Sequence, residues 1–195
     1  PLLVLGALGT ASDIGVFYAA HRTAALVGLI LLAANSIIAP KFAALYHKRE
    51  TTTLDEVMRN SAMFMTAAAA PAILLFFLVP EFVISIFGRD FTEGGDLLRV
   101  LAFGQMFNVI TGSVGFMLMM TDNSRSLLIV TLSMVVVNVV LSFSLIPSYG
   151  AMGAAIAATA SLLTASVMRV LYVWRTLGFL ALPIPFSVRA SSRTM

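Results

Sequence analysis

The run Thr23–Pro40, TAALVGLILLAANSIIAP, decides the fold class. It carries no charge, and as a helix rising 1.5 Å per residue it extends about 27 Å. That nearly matches the ~30 Å hydrocarbon thickness of a bilayer. Its polar side chains, Thr23, Asn35 and Ser36, are too few to wet the outer face of a soluble helix. Asp13 and Arg22 lead into the run, and HKRETTT (His47–Thr53) closes it. The first predicted span therefore runs from about Asp13 to Tyr46, capped by Ser12 or Asp13. Pro40 is expected to kink its far end.

The pattern repeats along the chain. A second span starts amphipathic at Leu54, with Asp55, Glu56 and Arg59 at the interface, and crosses from Ser61 to Val79. Phe82–Gly88 reads as a short interfacial piece before an acidic connection, Arg89–Asp96. A third span covers Leu97–Met120, TDNS (Thr121–Ser124) turns the chain, and a fourth covers Arg125–Ile146. Pro147–Gly150 (PSYG) is a tight turn before a fifth span, Ala151–Arg175. The expectation is all-α: a polytopic transmembrane helix bundle of about five spans. In this reading residues 1–10 end a transmembrane helix cut inside its apolar run. Residues 11–176 form the bundle, and 177–195 are a cytoplasmic tail. Composition agrees, with 59% hydrophobic residues, 11% charged and a mean hydropathy of +0.99. Soluble domains carry about a quarter charged residues.

Several chemistries are excluded. There is no cysteine, hence no disulfide or thiolate metal site. The two histidines, His21 and His47, lie too far apart for a ligand cluster. A net charge of +3 with no dense Lys/Arg patch argues against nucleic acid. No Gly-rich phosphate loop, zinc-type His-Glu spacing or Asp-rich metal motif is present. No enzyme activity, metal or cofactor is therefore expected. Glu93 and Asp96, at the start of the third span, are read as partners of the helix dipole.

Basic residues orient the bundle. Lys41, Lys48, Arg49, Arg59, Arg125, Arg169, Arg175, Arg189 and Arg193 fall on one side, against Arg89 and Arg99 on the other. The first loop and the C-terminus are expected to face the cytoplasm.

Arg22 is the remaining arginine. It lies nine residues past Asp13, about 13 Å along the helix, where a charge in lipid costs at least ~2.5 kcal/mol. It reads either as a fixed positive site in a cavity, suited to forked contacts with phosphate, or as an arginine that snorkels outward or pairs with Asp13. Gln105 and Asn108 share a face of the third span, Asn138 lies mid-way through the fourth, and Asn35 lies deep in the first. Such amides either line a polar pathway or make interhelical hydrogen bonds. The small residues Gly150, Gly153, Ala154, Ala155, Ala157, Ala158, Ala160 and Ser161 give the fifth span a close-packing face. Met117, Met119 and Met120 read as fillers of space.

These stretches together resemble a known family. LGALG (Leu5–Gly9) with DIGVFYAAHR (Asp13–Arg22) and then IAP (Ile38–Pro40) look like the opening of the second half of bacterial polysaccharide flippases. FGRDF (Phe87–Phe91) before LLRVL (Leu97–Leu101), and GQMFN (Gly104–Asn108), fit the same order. So does Asn138 followed by IPSYGAMGAA (Ile146–Ala155). The family comprises the O-antigen and exopolysaccharide transporters of the multidrug/oligosaccharidyl-lipid/polysaccharide exporter superfamily, and the resemblance covers about Leu5 to Arg175.

The resemblance implies an inner-membrane protein with two six-helix lobes around a central cavity. It would move undecaprenyl-pyrophosphate-linked oligosaccharide between leaflets by alternating access. This chain would be most of the C-terminal lobe: the end of helix seven, then helices eight to twelve, with Arg22 on helix eight. Its partners would be the lipid-linked oligosaccharide, membrane lipid and a missing N-terminal lobe. Arg22 would hold pyrophosphate, and Gln105, Asn108, Asn138 and Asn35 are the other cavity candidates. Five helices do not enclose a two-lobed cavity, so the chain alone is not expected to transport. Rival readings are a drug/cation antiporter or lipid II flippase of the same superfamily, and a non-transporting scaffold that docks through the small-faced fifth span. A membrane-embedded glycan polymerase or ligase is disfavoured, because long external loops with candidate catalytic residues are absent.

Overall fold

The computed structural model describes residues 1–47, 51–112, 114–115 and 124–177. These residues are helical almost throughout. In chain order the helices are α1 (Leu2–Leu8), α2 (Ala11–His47), α3 (Thr51–Leu78), α4 (Pro80–Ser85), α5 (Gly95–Ile110) and α6 (Ser124–Leu177). A 3-10 turn, Arg89–Gly94, precedes α5.

Helix α2 begins two residues before the predicted start, because the cap is Thr10 rather than Ser12 or Asp13. The Thr10 backbone N–H and hydroxyl both donate to Asp13 Oδ2, at 3.1 and 2.7 Å, and the Asp13 N–H donates to Thr10 Oγ1 at 3.2 Å. This reciprocal box satisfies amides that the first helical turn leaves unpaired. Helix α2 then continues through Pro40 to His47.

Among the described residues, three helices are long and apolar enough to cross a membrane: Ala11–Ser36, Arg59–Leu78 and the 51-residue Arg125–Arg175. The last would measure about 76 Å if straight, more than twice a hydrocarbon core. It is not straight. At Gly150 the backbone adopts φ 52°, ψ −130°, a region in which a side chain is strained. Asn138 Nδ2 donates to Ser161 Oγ at 3.0 Å. Those residues stand twelve before and eleven after Gly150, so α6 folds back on itself as an antiparallel hairpin of two arms, 124–149 and 151–177. Pro147 precedes the break, and a Cβ on Gly150 would lie 3.3 Å from Asp13 Oδ1. The α2 cap thus abuts the elbow, with a carboxylate beside the amino end of the second arm. Helices α2, α3, α5 and the two arms take the five predicted span positions. The end of the third span, the turn at 121–123, Lys48, Arg49 and residues 178–195 lie outside the described residues.

The packing is that of a membrane bundle. Small residues are inside: Ala20, Ala62, Ala69, Ala102, Ala154, Ala155 and Ala157 are fully buried. They surround Leu5, Phe17, Met65, Ile84 and Leu98, drawn from α1 to α5. Large branched residues are outside, and Leu128, Leu132, Val136, Val140 and Phe143 form an exposed stripe on the first arm of α6. That period of about four residues is one helix face. A soluble protein rarely exposes so large an apolar surface.

Helix α5 packs most extensively on α6. A Cβ on Gly104 would sit 3.2 Å from the Thr159 Cα, and Thr159 Oγ1 donates to the Val100 carbonyl at 2.8 Å. Gly153 lies so close to the Leu145 carbonyl that a Cβ there would be 2.5 Å from its oxygen. The small-residue face of the fifth span is therefore consumed within the bundle, against α5 and the preceding arm. At the start of α5 Arg99 pairs with Asp96 at 2.7 Å and Glu81 at 3.1 Å, and reaches the Phe77 carbonyl. This half-exposed cluster ties α3, α4 and α5 together.

Candidate functional site

Helix α5 presents Gln105 and Asn108 on one face, toward α6. Asn108 Nδ2 donates to Gln105 Oε1 at 3.3 Å, and Asn108 Oδ1 accepts from an Arg169 guanidinium nitrogen at 3.1 Å. Arg169 lies eighteen residues past Ala151, about 27 Å along the second arm. Helical side chains lean back toward the N-terminus, which carries its guanidinium to the level of Asn108. The glycine at 115 makes room, since a Cβ there would stand 3.3 Å from Arg169 Cδ. Among the described residues Arg169 Nε is buried with no partner, and no carboxylate pairs with Arg169. The charge reading placed Arg169 on the cytoplasmic side. Its side chain turns into the bundle, to Asn108.

Gln105 opens into a pocket of about 330 Å³. Pro1, His21 and Asn138 line it too, with Met134, Val135, Ala158 and Leu162 as apolar walls. Its size is at the lower end of small-molecule sites. Asn138 spends its amino group on Ser161, whose hydroxyl donates to the Ala157 carbonyl at 2.6 Å. The His21 ring lies 5.5 Å from the Phe17 ring at 31°.

The structure brings Gln105 and Asn138 together and links Asn108 to them through Gln105. Arg22 lies elsewhere. It is exposed, on a groove of about 600 Å³ with Tyr18, Thr23, Ala25, Leu26, Leu29 and Phe87. Its guanidinium carbon is 5.9 Å from the Tyr18 ring centroid, a cation–π contact. It forms no ion pair with Asp13, which is engaged by Thr10. A smaller space lined by Phe17, Tyr18, His21 and Arg22 adjoins both regions. Asn35 is fully buried. Neither side-chain amide atom has a partner among the described residues, and it lines neither the pocket nor the groove.

Comparison with known proteins adds context to this geometry. The chain is 28% identical over 173 residues to a probable low-salt glycan biosynthesis flippase, Agl15, of Haloferax volcanii. It is 24% identical over 162 residues to the capsular polysaccharide biosynthesis protein CapF of Staphylococcus aureus. These alignments cover 87% and 83% of this chain. The chain is similar to proteins of glycan and polysaccharide biosynthesis. It spans only 36% and 41% of the length of those relatives. No protein-family model matches it, and no solved structure does.

Proposed function

We propose that this chain is the C-terminal lobe of a lipid-linked oligosaccharide flippase in a bacterial inner membrane, with its C-terminus in the cytoplasm. The observation that carries the reading is the similarity to a probable glycan flippase across 87% of the chain. A pocket that gathers His21, Gln105 and Asn138 within an otherwise apolar bundle supports it. The relatives are more than twice as long as the matched region, in keeping with a second lobe that completes the cavity.

In this reading the protein is a carrier with no catalytic residue and no cofactor. Rocking of the two lobes would expose the cavity to each leaflet in turn, and the cargo would be an oligosaccharide on undecaprenyl pyrophosphate. Arg22 would attract the anionic headgroup at the groove, where a guanidinium gives forked contacts to phosphate oxygens. Gln105 and Asn138 would meet the sugar, with Asn108 behind them. A drug/cation antiporter is less favoured, since no carboxylate lies deep in the described spans. A scaffold docking through the fifth span is disfavoured because that face is already packed.

The test is reconstitution of the full-length protein in liposomes loaded with fluorescent lipid-linked oligosaccharide. Protein-dependent movement between leaflets is expected. Movement equal to that in protein-free liposomes would rule the transport reading out. Transport by residues 1–195 alone would overturn the need for a second lobe.

A further inference from the structure

Helix α3 ends because of Pro80. A proline lacks the N–H that would continue the ladder, and its ring pushes the preceding residue out of the helical region. Val79 accordingly adopts φ −136°, ψ 52°, and α4 starts anew at Pro80. The chain has by then used a full crossing, since the 20 residues of Arg59–Leu78 rise about 30 Å. The six-residue α4 therefore lies at one edge of the hydrocarbon. Its Pro80, Val83 and Ile84 are buried on the bundle. Phe82 and Ile86 stand roughly 200° and 240° around from Pro80, on the opposite face, and are 69% and 77% exposed. The polar groups keep to the flank. Glu81 meets Arg99 at 3.1 Å, and the Ser85 hydroxyl donates to the Phe82 carbonyl at 2.7 Å.

A helix apolar on two opposite faces is one that is covered on both. What covers Phe82 and Ile86 follows from the residues that lead to them. Ala68, Pro71, Leu75 and Leu78 are exposed at spacings of three or four residues along α3, and the same spacing carries across the break to Phe82 and Ile86. No polar side chain interrupts the stripe, as suits the lipid-facing side of a spanning helix. A second lobe belongs elsewhere, because the residues it must reach, Arg22, Gln105 and Asn138, stand on α2, α5 and α6. Helix α1 packs on α2 and α6 and, among the described residues, not on α3 or α4. We propose that α4 is an interfacial anchor, seated by Phe82 and Ile86 at the boundary between lipid headgroups and acyl chains. Arg99 is the clamp that holds it there, bonding Glu81 of α4, Asp96 of α5 and the Phe77 carbonyl near the end of α3. The attachment is apolar rather than electrostatic, since residues 81–99 carry four acidic side chains against two arginines. It rests on the proposed orientation only for which leaflet α4 enters, the periplasmic one.

The experiment is spin-label accessibility in a cysteine-free version of the full-length protein, reconstituted in phosphatidylcholine vesicles. Labels at Phe82→Cys and Ile86→Cys should favour oxygen, which concentrates in hydrocarbon, over a water-soluble nickel chelate. Ala68→Cys, within the span, should do the same. The oxygen-to-nickel ratio at all three should exceed severalfold that at Glu93→Cys, in the polar connection. Adding phosphatidylglycerol should leave the ratios unchanged, because no basic side chain of α4 draws it to anionic lipid. Arg99→Met should raise the mobility of the label at Ile86→Cys and leave that at Ala68→Cys as it was.

A preference for nickel at Phe82→Cys and Ile86→Cys would place α4 in water and overturn the anchor. Low access for both reagents would mean that protein covers this face, and would overturn it equally. An oxygen preference that appears only with phosphatidylglycerol would overturn the apolar attachment. In Arg99→Met, mobility unchanged at Ile86→Cys, or raised equally at Ala68→Cys, would overturn the clamp. None of these outcomes bears on transport, which the liposome assay decides separately.

Discussion

At the residue scale the chain separates two kinds of polar group inside an apolar bundle. Thr10 and Asp13 cap a helix, and the Thr10→Ala variant should lose about 1 kcal/mol of stability, read as a lower unfolding temperature in detergent. Asn35 is buried without partners among the described residues. Asn35→Leu should therefore be neutral or stabilising in the same measurement, since it removes a polar group that is desolvated and unpaired. Arg22 belongs to the other kind: exposed on its groove, and with no carboxylate paired to it among the described residues, it is placed to meet an anion. Arg22→Ala should reduce glycan export severalfold at unchanged protein level, and unchanged export would take it out of the mechanism.

The residues also mark where sequence reading ran out. Gln105 and Asn138 were legible as amides deep in apolar spans, but the sequence left open whether they line a pathway or bond between helices, and Asn138 does bond to Ser161. The turn of Arg169 was not legible. It stands six residues before Arg175, near enough to the helix end for a charge count to assign it to the cytoplasm. Its inward turn depends on the space left by Gly115 on another helix. Asn35 fits either a cavity or a packed interface, and only tertiary packing decides which. The Thr10–Asp13 pair was present in the sequence as a capping spacing, but Ser12 and Asp13 are equally good capping residues in isolation.

At the element scale the deciding feature is the elbow of α6. Its position was readable, because Pro147 and Gly150 punctuate an apolar run too long for one span. The close fit of the arms was not, as it depends on Gly153 meeting the Leu145 carbonyl. Gly150→Ala should cost about 1–3 kcal/mol, since alanine is strained at that backbone conformation. Gly153→Ala should also destabilise, because the obstructing atom belongs to the backbone and has little freedom to move aside. Thermal unfolding of the full-length protein in detergent checks both. An unfolding temperature unchanged in the two variants would contradict the hairpin geometry.

At the scale of the whole molecule, small residues inside and branched residues outside follow from the solvent being lipid. Packing between helices then relies on close approach and on a few hydrogen bonds worth about 0.6 kcal/mol each. The absence of cysteine from this chain allows orientation to be mapped by single introduced cysteines. Ser148→Cys, at the elbow, should react with a membrane-impermeant maleimide in intact cells. Thr52→Cys, at the start of α3, should react only after permeabilisation. The reverse pattern would invert the topology.

The central claim is that this chain is part of a machine that carries lipid-linked glycan across a membrane. Its most direct test is the leaflet distribution of lipid-linked oligosaccharide in cells deleted for the full-length gene. The account predicts that the intermediate accumulates on the cytoplasmic face while surface glycan is lost, and that the wild-type gene restores both. Normal surface glycan in the deletion strain, with no accumulation inside, would contradict it.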